Sequence, residues 1–362
     1  MSRFAGEMNV VFWEEPMDIG PNEKAYLQIR EAEDSPNVQI AVPHLPEGMP
    51  DDAREAALKR LLDAHTASIR GPLITWYYTP MMLPFSGHLD ADATVFDAMD
   101  ELSKFRFAPP RLIELEQALI DKADIVFTGG SSLYEAKKDR HANVHCFPSS
   151  VDRAHFAKAR ARTFDPADQE DLPKPRLGFY GVIDERFDTE LLDRIAAARP
   201  DWSFVMVGPV VKIAEDELPK RPNIHYLGPK TYAQLPSYLA GWDVALMPFA
   251  MNESTEFISP TKTPEYLAGG KPVVTSPIRD VVRHYGKLEG VKIAATPDEF
   301  VAACEEALDL SHDPENGWLA EADLMLSASS WNVTQARMAG LIADLMGLRT
   351  GTAHPALLVA AE

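Results

Sequence analysis

The sequence predicts an α/β protein made of two Rossmann-like, doubly wound domains facing a cleft. Three observations carry this. Apolar runs of strand length alternate with amphipathic helical patterns along all 362 residues. The alternation occurs twice. Between the two series lies the polar, proline-rich stretch TFDPADQEDLPKP, Thr163 to Pro175, with the composition of a domain linker. The predicted division is a first domain over 1–170, a second over 171–330, and a last helix and tail over 331–362 that can pack back on the first domain.

In the first half the strand candidates are NVVFW, VQIAV, LITWYY, ATVFDA, DIVFTG and VHCFP, with helices such as Asp52 to Ser68 and Pro110 to Asp121 between some of them. Each run is five or six residues long and rich in β-branched and aromatic side chains, as in strands buried on both faces of a parallel sheet. The second half repeats the arrangement with RLGFYG, SFVMVG, NIHYLG, DVALMPF, KPVVTS and VKIAA, and with a helix over Asp188 to Ala198. A long helix follows, roughly Trp331 to Met346. The tail TGTAHPALLVAAE reads as mobile.

Composition excludes several function classes. With 46% hydrophobic and 25% charged residues the chain is ordinary globular material. A net charge of −20 argues against a general nucleic-acid binder, which needs a basic face to displace counterions from phosphates. An anionic ligand must therefore be met by a local cluster of positive groups. Cys146 and Cys304 stand far apart, each in an apolar run and without companions at zinc spacing, and read as buried thiols in a reducing compartment. No apolar run approaches the roughly 18 residues of a membrane-spanning helix, so a cytosolic location is expected. SKFRFAPPR, Ser103 to Arg111, interleaves Lys104, Arg106 and Arg111 with Phe105 and Phe107, a pattern suited to peripheral contact with anionic headgroups at the inner face of the cell membrane.

The most informative stretch is SPTKTPEYLAGGKPVVTS, Ser259 to Ser276. Pro264 must lie in a first helical turn, since deeper inside it would delete a hydrogen bond and clash with the preceding carbonyl. With Thr261 as N-cap, the unpaired N–H groups of that turn and the positive end of the helix dipole favour an anion. Lys262 adds a full charge. Glu265, three residues on and on the same face, can accept hydrogen bonds from a diol. A diphosphate beside a ribose is a nucleoside diphosphate. A capped helix with an exposed Lys262–Glu265 ion pair is the structural alternative.

At these residues the chain resembles the GT-B glycosyltransferases, in particular the group 1, family 4-like branch used in bacterial surface polysaccharide assembly. The resemblance runs over nearly the whole chain. SPTKTPEYLAGGKPVV looks like the family's donor-binding helix, in which the lysine meets the diphosphate of the sugar nucleotide and the glutamate its ribose. FPSSVDRAHF, Phe147 to Phe156, is similar to the segment preceding the family's linker. FYGVIDERFD is similar to its glycine turn, with Gly181 admitting the donor. Arg186 can join Lys262 at the phosphates or instead form a salt bridge with Asp184 or Asp188. LMPFAMNEST, with Asn252 and Thr255, resembles the loop that reaches toward the donor sugar, and Ser259 opens the helix segment. GPKTYAQL brings Lys230 and Tyr232 to where the family holds the base. One departure stands out. Retaining members of the larger family carry a glutamate eight positions before the one matched by Glu265; here that position is Phe257, with Glu253 and Glu256 out of register.

Glycosyl transfer with inversion requires a base for the acceptor hydroxyl. ATVFDAMDELSKF places Asp97, Asp100 and Glu101 at and beyond a strand end. Asp100 best matches the catalytic aspartate of inverting polysaccharide transferases of this fold, with Asp97 in reserve; the same carboxylates could instead cap a turn or pair with Arg106 and Arg111. Glu14, Glu15, Tyr77 and Tyr78 end strands and are candidates for the acceptor. The resulting expectation is a hexosyltransferase of class EC 2.4 that takes a sugar from a nucleotide donor such as a UDP-sugar to a saccharide or lipid-linked saccharide. No cofactor is expected and no metal, because helix dipole and basic side chains replace it in this fold. A retaining transferase, a sugar-nucleotide 2-epimerase and a non-catalytic nucleotide-binding module share the architecture.

Overall fold

A computed structural model describes residues 1–33, 35–161, 165–312, 317–347 and 356–360. The chain forms two compact units. Unit 1 comprises Met1–Ser103, Phe107–Phe147 and Asn332–Glu362; unit 2 comprises Lys104–Arg106 and Pro148–Trp331.

Unit 1 contains the strands β1 (Asn9–Trp13), β2 (Met17–Ile19), β3 (Tyr26–Ala32), β4 (Ser35–Pro46), β5 (Leu73–Tyr77), β6 (Ala93–Ala98), β7 (Ile125–Thr128) and β8 (Val144–Cys146). Unit 2 contributes β9 (Arg176–Tyr180), β10 (Ser203–Val207), β11 (Ile224–Tyr226), β12 (Val244–Met247), β13 (Val273–Thr275) and β14 (Val291–Ile293), and the chain ends on β15 (Ala356–Ala360), which returns to unit 1.

The unit 1 sheet runs β2-β4-β1-β15-β5-β6-β7-β8, with β3 pairing antiparallel to β4. Its inner strands are mostly apolar because both faces are covered; all six residues of β6 are buried, Thr94 and Asp97 among them. Phe4, Ile74, Trp76, Val95, Phe127, Phe147, Met338 and Val359 share one core. Two features depart from the sequence reading. The hairpin β3–β4 was not expected, since β3, YLQIREA, is half polar and mostly exposed, and such a strand has no buried face to leave an apolar signature. The tail is the second departure. It was expected to be mobile, yet ALLVA forms β15 in the middle of the sheet, parallel to β1 with Val10 opposite Leu357 and parallel to β5 with Ile74 opposite Leu357. A local pattern cannot show that a vacant slot between two distant strands will order five apolar residues.

In unit 2 the all-parallel order is β11-β10-β9-β12-β13-β14. The chain winds outward from β9 to one side and from β12 to the other, so the order reverses between β9 and β12, the crevice where doubly wound sheets hold ligands. RLGFY, SFVMV and VALM are buried at every position. Helices Thr189–Ala198 and Pro297–Ser311 pack together, as do Lys262–Ala268 and Gly317–Ser327. Of the stretch that reads as a linker, Thr163 and Phe164 lie outside the described residues, and from Asp165 onward it is built into this unit. Gln169 is fully buried and accepts from the Trp242 indole (2.9 Å) while donating to the Tyr238 carbonyl (3.1 Å), and Asp165 pairs with Arg176. Polar residues can enter a core when each such group finds its partner.

Candidate functional site

The end of β9 in unit 2 gathers the chemistry. Tyr180 is the last residue of the strand and Gly181 follows at φ +143°, a conformation that L side chains rarely adopt. Its N–H donates to the Val207 carbonyl (2.9 Å), continuing the ladder with β10, and Gly208 at the end of β10 adopts φ +146° against the Gly181 carbonyl. The two strands, FYG and MVG, thus end in glycine at neighbouring register for one steric reason: the turns touch backbone to backbone. A Cβ on Gly181 would also run into the Lys262 side chain, its Nζ only 2.9 Å away. Lys262 therefore lies directly over the turn.

Lys262 opens the helix Lys262–Ala268, and Pro264 falls in its first turn. Thr261 occupies the N-cap position with helical dihedrals and makes no side-chain cap. With only seven residues the helix has a small dipole, so the ammonium is the main positive charge that this element brings. The Lys262 Nζ stands 5.7 Å from the ring centre of Phe179 and 5.8 Å from that of Phe249, within range of cation–π attraction. One turn on, Glu265 accepts a hydrogen bond from the Tyr180 hydroxyl (2.9 Å), and the Tyr266 hydroxyl receives the Tyr180 N–H (3.0 Å). Burial pushes the Glu265 carboxyl up to about 7, against the Tyr180 bond and the Lys262 charge, which both draw it down. A cation and a titratable carboxyl thus flank one glycine turn at the topological switch.

The remaining donor-side candidates fall into two groups around this centre. Arg186 is held by Asp184 through Nε (3.0 Å) and Nη2 (2.6 Å). Asn252 caps Ser254 N–H (3.0 Å) and donates to the Glu185 carbonyl (2.9 Å), while the fully buried Thr255 donates to the Ala250 carbonyl (2.6 Å). Those two side chains shape the loop after β12. The Ser259 carbonyl accepts from Ser149 (2.8 Å), which ties the family-like FPSSVDRAHF segment to the start of the helix. In the second group, Tyr232 is 51% exposed and stacks flat on His155 at 4.2 Å, and Phe156 bridges it to Tyr180 with ring centres 5.6 and 6.2 Å away. Lys230 is engaged by Asp168 at 2.7 Å.

In unit 1 the candidates surround the ends of β1, β5 and β6. Asp97 is 4% exposed, and burial lifts its carboxyl to about 7. Asp100 is half-buried in the turn that follows. The next residue, Glu101, is locked by Lys137 (2.8 Å), a lysine whose side chain is 1% exposed and also binds Glu116 (3.0 Å). This buried network fixes the turn that carries Asp100. Glu15 is exposed at the end of β1, and Glu14 pairs with Arg30 (3.4 Å). Tyr77 is 1% exposed with its hydroxyl against Ser86 (2.9 Å); Tyr78 is half-buried, and burial raises its hydroxyl far above the usual phenol range.

Among the described residues no three His, Cys, Asp or Glu side chains converge as a cation site, and no helix is long and apolar enough to cross a membrane. Phe105 is half-buried, with the cations of Arg186 and Lys212 each 5.3 Å from its ring centre, and Phe107 is 75% exposed. Sequence reasoning missed Glu185, His155, Tyr180 and Tyr266, and it read Phe105 as a membrane contact where the ring instead meets Arg186 and Lys212. Tyr180 could have been found, since it adjoins Gly181 at the strand end. The others act through partners distant in the chain, such as Arg106 for Glu185, Tyr232 for His155 and Tyr180 for Tyr266.

Residues 174–310 match the family model described as Glycosyl transferases group 1. Over 281 residues the chain is 28% identical to a Bacillus subtilis (strain 168) protein named as teichuronic acid biosynthesis glycosyltransferase TuaH, covering 71% of this chain and 69% of that one. Among solved structures it is similar to sucrose-phosphate synthase of Thermosynechococcus elongatus, with 17% identity, a TM-score of 0.69 and coverage of 96% and 92% of the two chains. It is also similar to Anabaena HepE in complex with UDP and glucose (12% identity, TM-score 0.66, coverage 93% and 99%). WaaG, a glycosyltransferase involved in lipopolysaccharide biosynthesis, follows at 11% identity, a TM-score of 0.59 and coverage of 92% and 99%.

Proposed function

We propose that the chain is a glycosyltransferase of the GT-B fold that moves a sugar from a nucleoside diphosphate donor, a UDP-sugar first of all, to a saccharide or lipid-linked saccharide during polysaccharide assembly. The observation that carries this is the constellation of Gly181, Lys262 and Glu265. A diphosphate can approach the Gly181 backbone where a side chain would exclude it, Lys262 offsets the charge that grows on the leaving diphosphate, and Glu265 accepts from the ribose hydroxyls once it is ionised. The acceptor class is supported by the names of TuaH and WaaG, and the donor class by the UDP and glucose bound to HepE.

Inversion with Asp100 as base is supported by what surrounds position 257. That residue is Phe; Glu253 is paired with Lys104 (3.6 Å) and Glu256 with Arg279 (3.4 Å), so both nearby glutamates are engaged in ion pairs. Asp97, with a carboxyl that titrates near 7, is the reserve proton acceptor. In this reading Lys262 performs the charge neutralisation that a divalent cation performs elsewhere, and turnover is insensitive to chelators. Phe107 is the residue for any contact with a membrane surface.

A thermal-shift screen of UDP-, GDP- and ADP-sugars tests the proposal. One class should raise the melting temperature; at a hundredfold excess over the dissociation constant the stabilisation is about 2.7 kcal/mol. Lys262→Ala should abolish that shift and lower turnover by on the order of 10²–10³. A wild-type protein that responds to none of the sugar nucleotides sinks the proposal.

A further inference from the structure

Three residues of unit 2 come from far away in the chain: Lys104–Arg106, flanked on both sides by unit 1 sequence. They are bonded to two of the loops that surround Gly181. The Lys104 carbonyl accepts from Ser254 Oγ (2.9 Å), and its ammonium lies 3.6 Å from Glu253, both in the loop after β12. The Arg106 N–H donates to Glu185 Oε1 (3.2 Å), an oxygen that Lys212 also approaches (3.6 Å). Between these anchors the Phe105 ring has Arg186 and Lys212 for neighbours, each 5.3 Å from its centre.

The loops held in this way are continuous with the donor-site candidates. Arg186 is bonded by its carbonyl to Ala250 N–H (2.8 Å), Phe187 bridges Phe249, and Ile183 bridges Val210. Phe187 packs on Phe179 with ring centres 5.0 Å apart, and Phe179 and Phe249 are the two rings beneath the Lys262 ammonium. The 182–187 loop and the rings of Phe187, Phe179 and Phe249 thus form a path of contacts from Phe105 to Lys262. Arg186 and Lys212 carry like charges, and the electron-rich Phe105 ring attracts both.

We propose that Phe105 is a positioning residue for the diphosphate: its ring holds Arg186 and Lys212 in place, and the strap it belongs to clamps the 182–187 and 249–256 loops in the arrangement that sets Lys262 over Gly181. This rests on the donor-site reading above. Its substrate is not touched by Phe105 itself, so the effect falls on donor affinity and not on the chemical step.

The test is titration calorimetry of the full chain with UDP, GDP and ADP, together with steady-state kinetics. Phe105→Ala should weaken nucleoside diphosphate binding and raise the donor KM by on the order of tenfold, the scale of two cation–π contacts, with kcat at saturating donor within about threefold. Phe105→Tyr, which keeps the ring face, should restore binding, and Phe105→Leu, of similar bulk but without a π system, should not. Should Phe105→Ala fail to fold, Ser254→Ala removes one anchor of the strap and should weaken binding several-fold. Unchanged affinity in Phe105→Ala, or equal rescue by Leu and Tyr, overturns the inference while leaving the donor site intact if Lys262→Ala still loses binding. A wild-type protein that binds none of the three nucleotides overturns both.

Discussion

Glu265→Gln should make the protein more stable and a poorer binder of its donor at once. The folded protein holds the Glu265 carboxyl at about 7, against an ordinary 4.5, chiefly through burial. A raised carboxyl means that the native state keeps its proton where the unfolded chain has lost it, so between these two values stability falls as pH rises. At about 1.4 kcal/mol for each tenfold change in proton affinity, the penalty accumulated by pH 8 is at most about 3.5 kcal/mol. Glutamine has no charge to desolvate, and its carbonyl can still accept from the Tyr180 hydroxyl. Below about pH 4 wild type and variant should therefore melt together, and at pH 8 the variant should melt on the order of 10 °C higher, given about 2–4 °C per kcal/mol for a unit of this size. Ligand binding should go the other way. A ribose diol is held better by a carboxylate than by an amide, so UDP affinity should rise from pH 6 to 8 in wild type, stay flat in Glu265→Gln, and at pH 8 be about tenfold weaker in the variant, the scale of a lost charged hydrogen bond. Calorimetric melting at four pH values, with and without UDP, checks both arms. A melting difference that does not change with pH would mean that Glu265 is not held near neutrality, and the argument from its burial would fail.

Three further outcomes follow from the geometry. Gly181→Ala places a Cβ at φ +143° against the Lys262 side chain, so UDP affinity measured by calorimetry should fall at least tenfold; wild-type affinity would mean that the lysine does not lie over the turn. Asp100→Asn should lower kcat by roughly 10²–10⁴ with donor affinity unchanged, and the product from an α-linked donor should be a β-glycoside by its anomeric coupling constant; an α-glycoside, or near-normal turnover in the variant, removes Asp100 from its role. Deleting residues 348–362 takes out β15 and leaves β1 and β5 without their shared neighbour, so hydrogen exchange across both strands should rise sharply; unchanged protection would show that the sheet closes without β15.

Much of this protein is determined by the residues themselves. Strands such as RLGFY, SFVMV and ATVFDA are buried on both faces, and a continuous apolar run between turn residues is all that such a strand requires, so their positions could be read directly. The same holds for SPTKTPEYLAGG, because proline restricts where a helix can begin and the lysine and glutamate then share a face. What the tertiary structure alone decided are the pairings that join distant segments. β15 is a strand because β1 and β5 leave a slot for it, Phe105 belongs to the second unit because Arg186 and Lys212 receive its ring, and Glu265, bonded by the Tyr180 hydroxyl, titrates near 7 because folding takes it out of water, against the downward pull of that bond. Each of these depends on a partner more than 70 residues away, and the attraction exists only after the chain has been brought together; no local periodicity records it, because in the unfolded chain those groups have only solvent for neighbours.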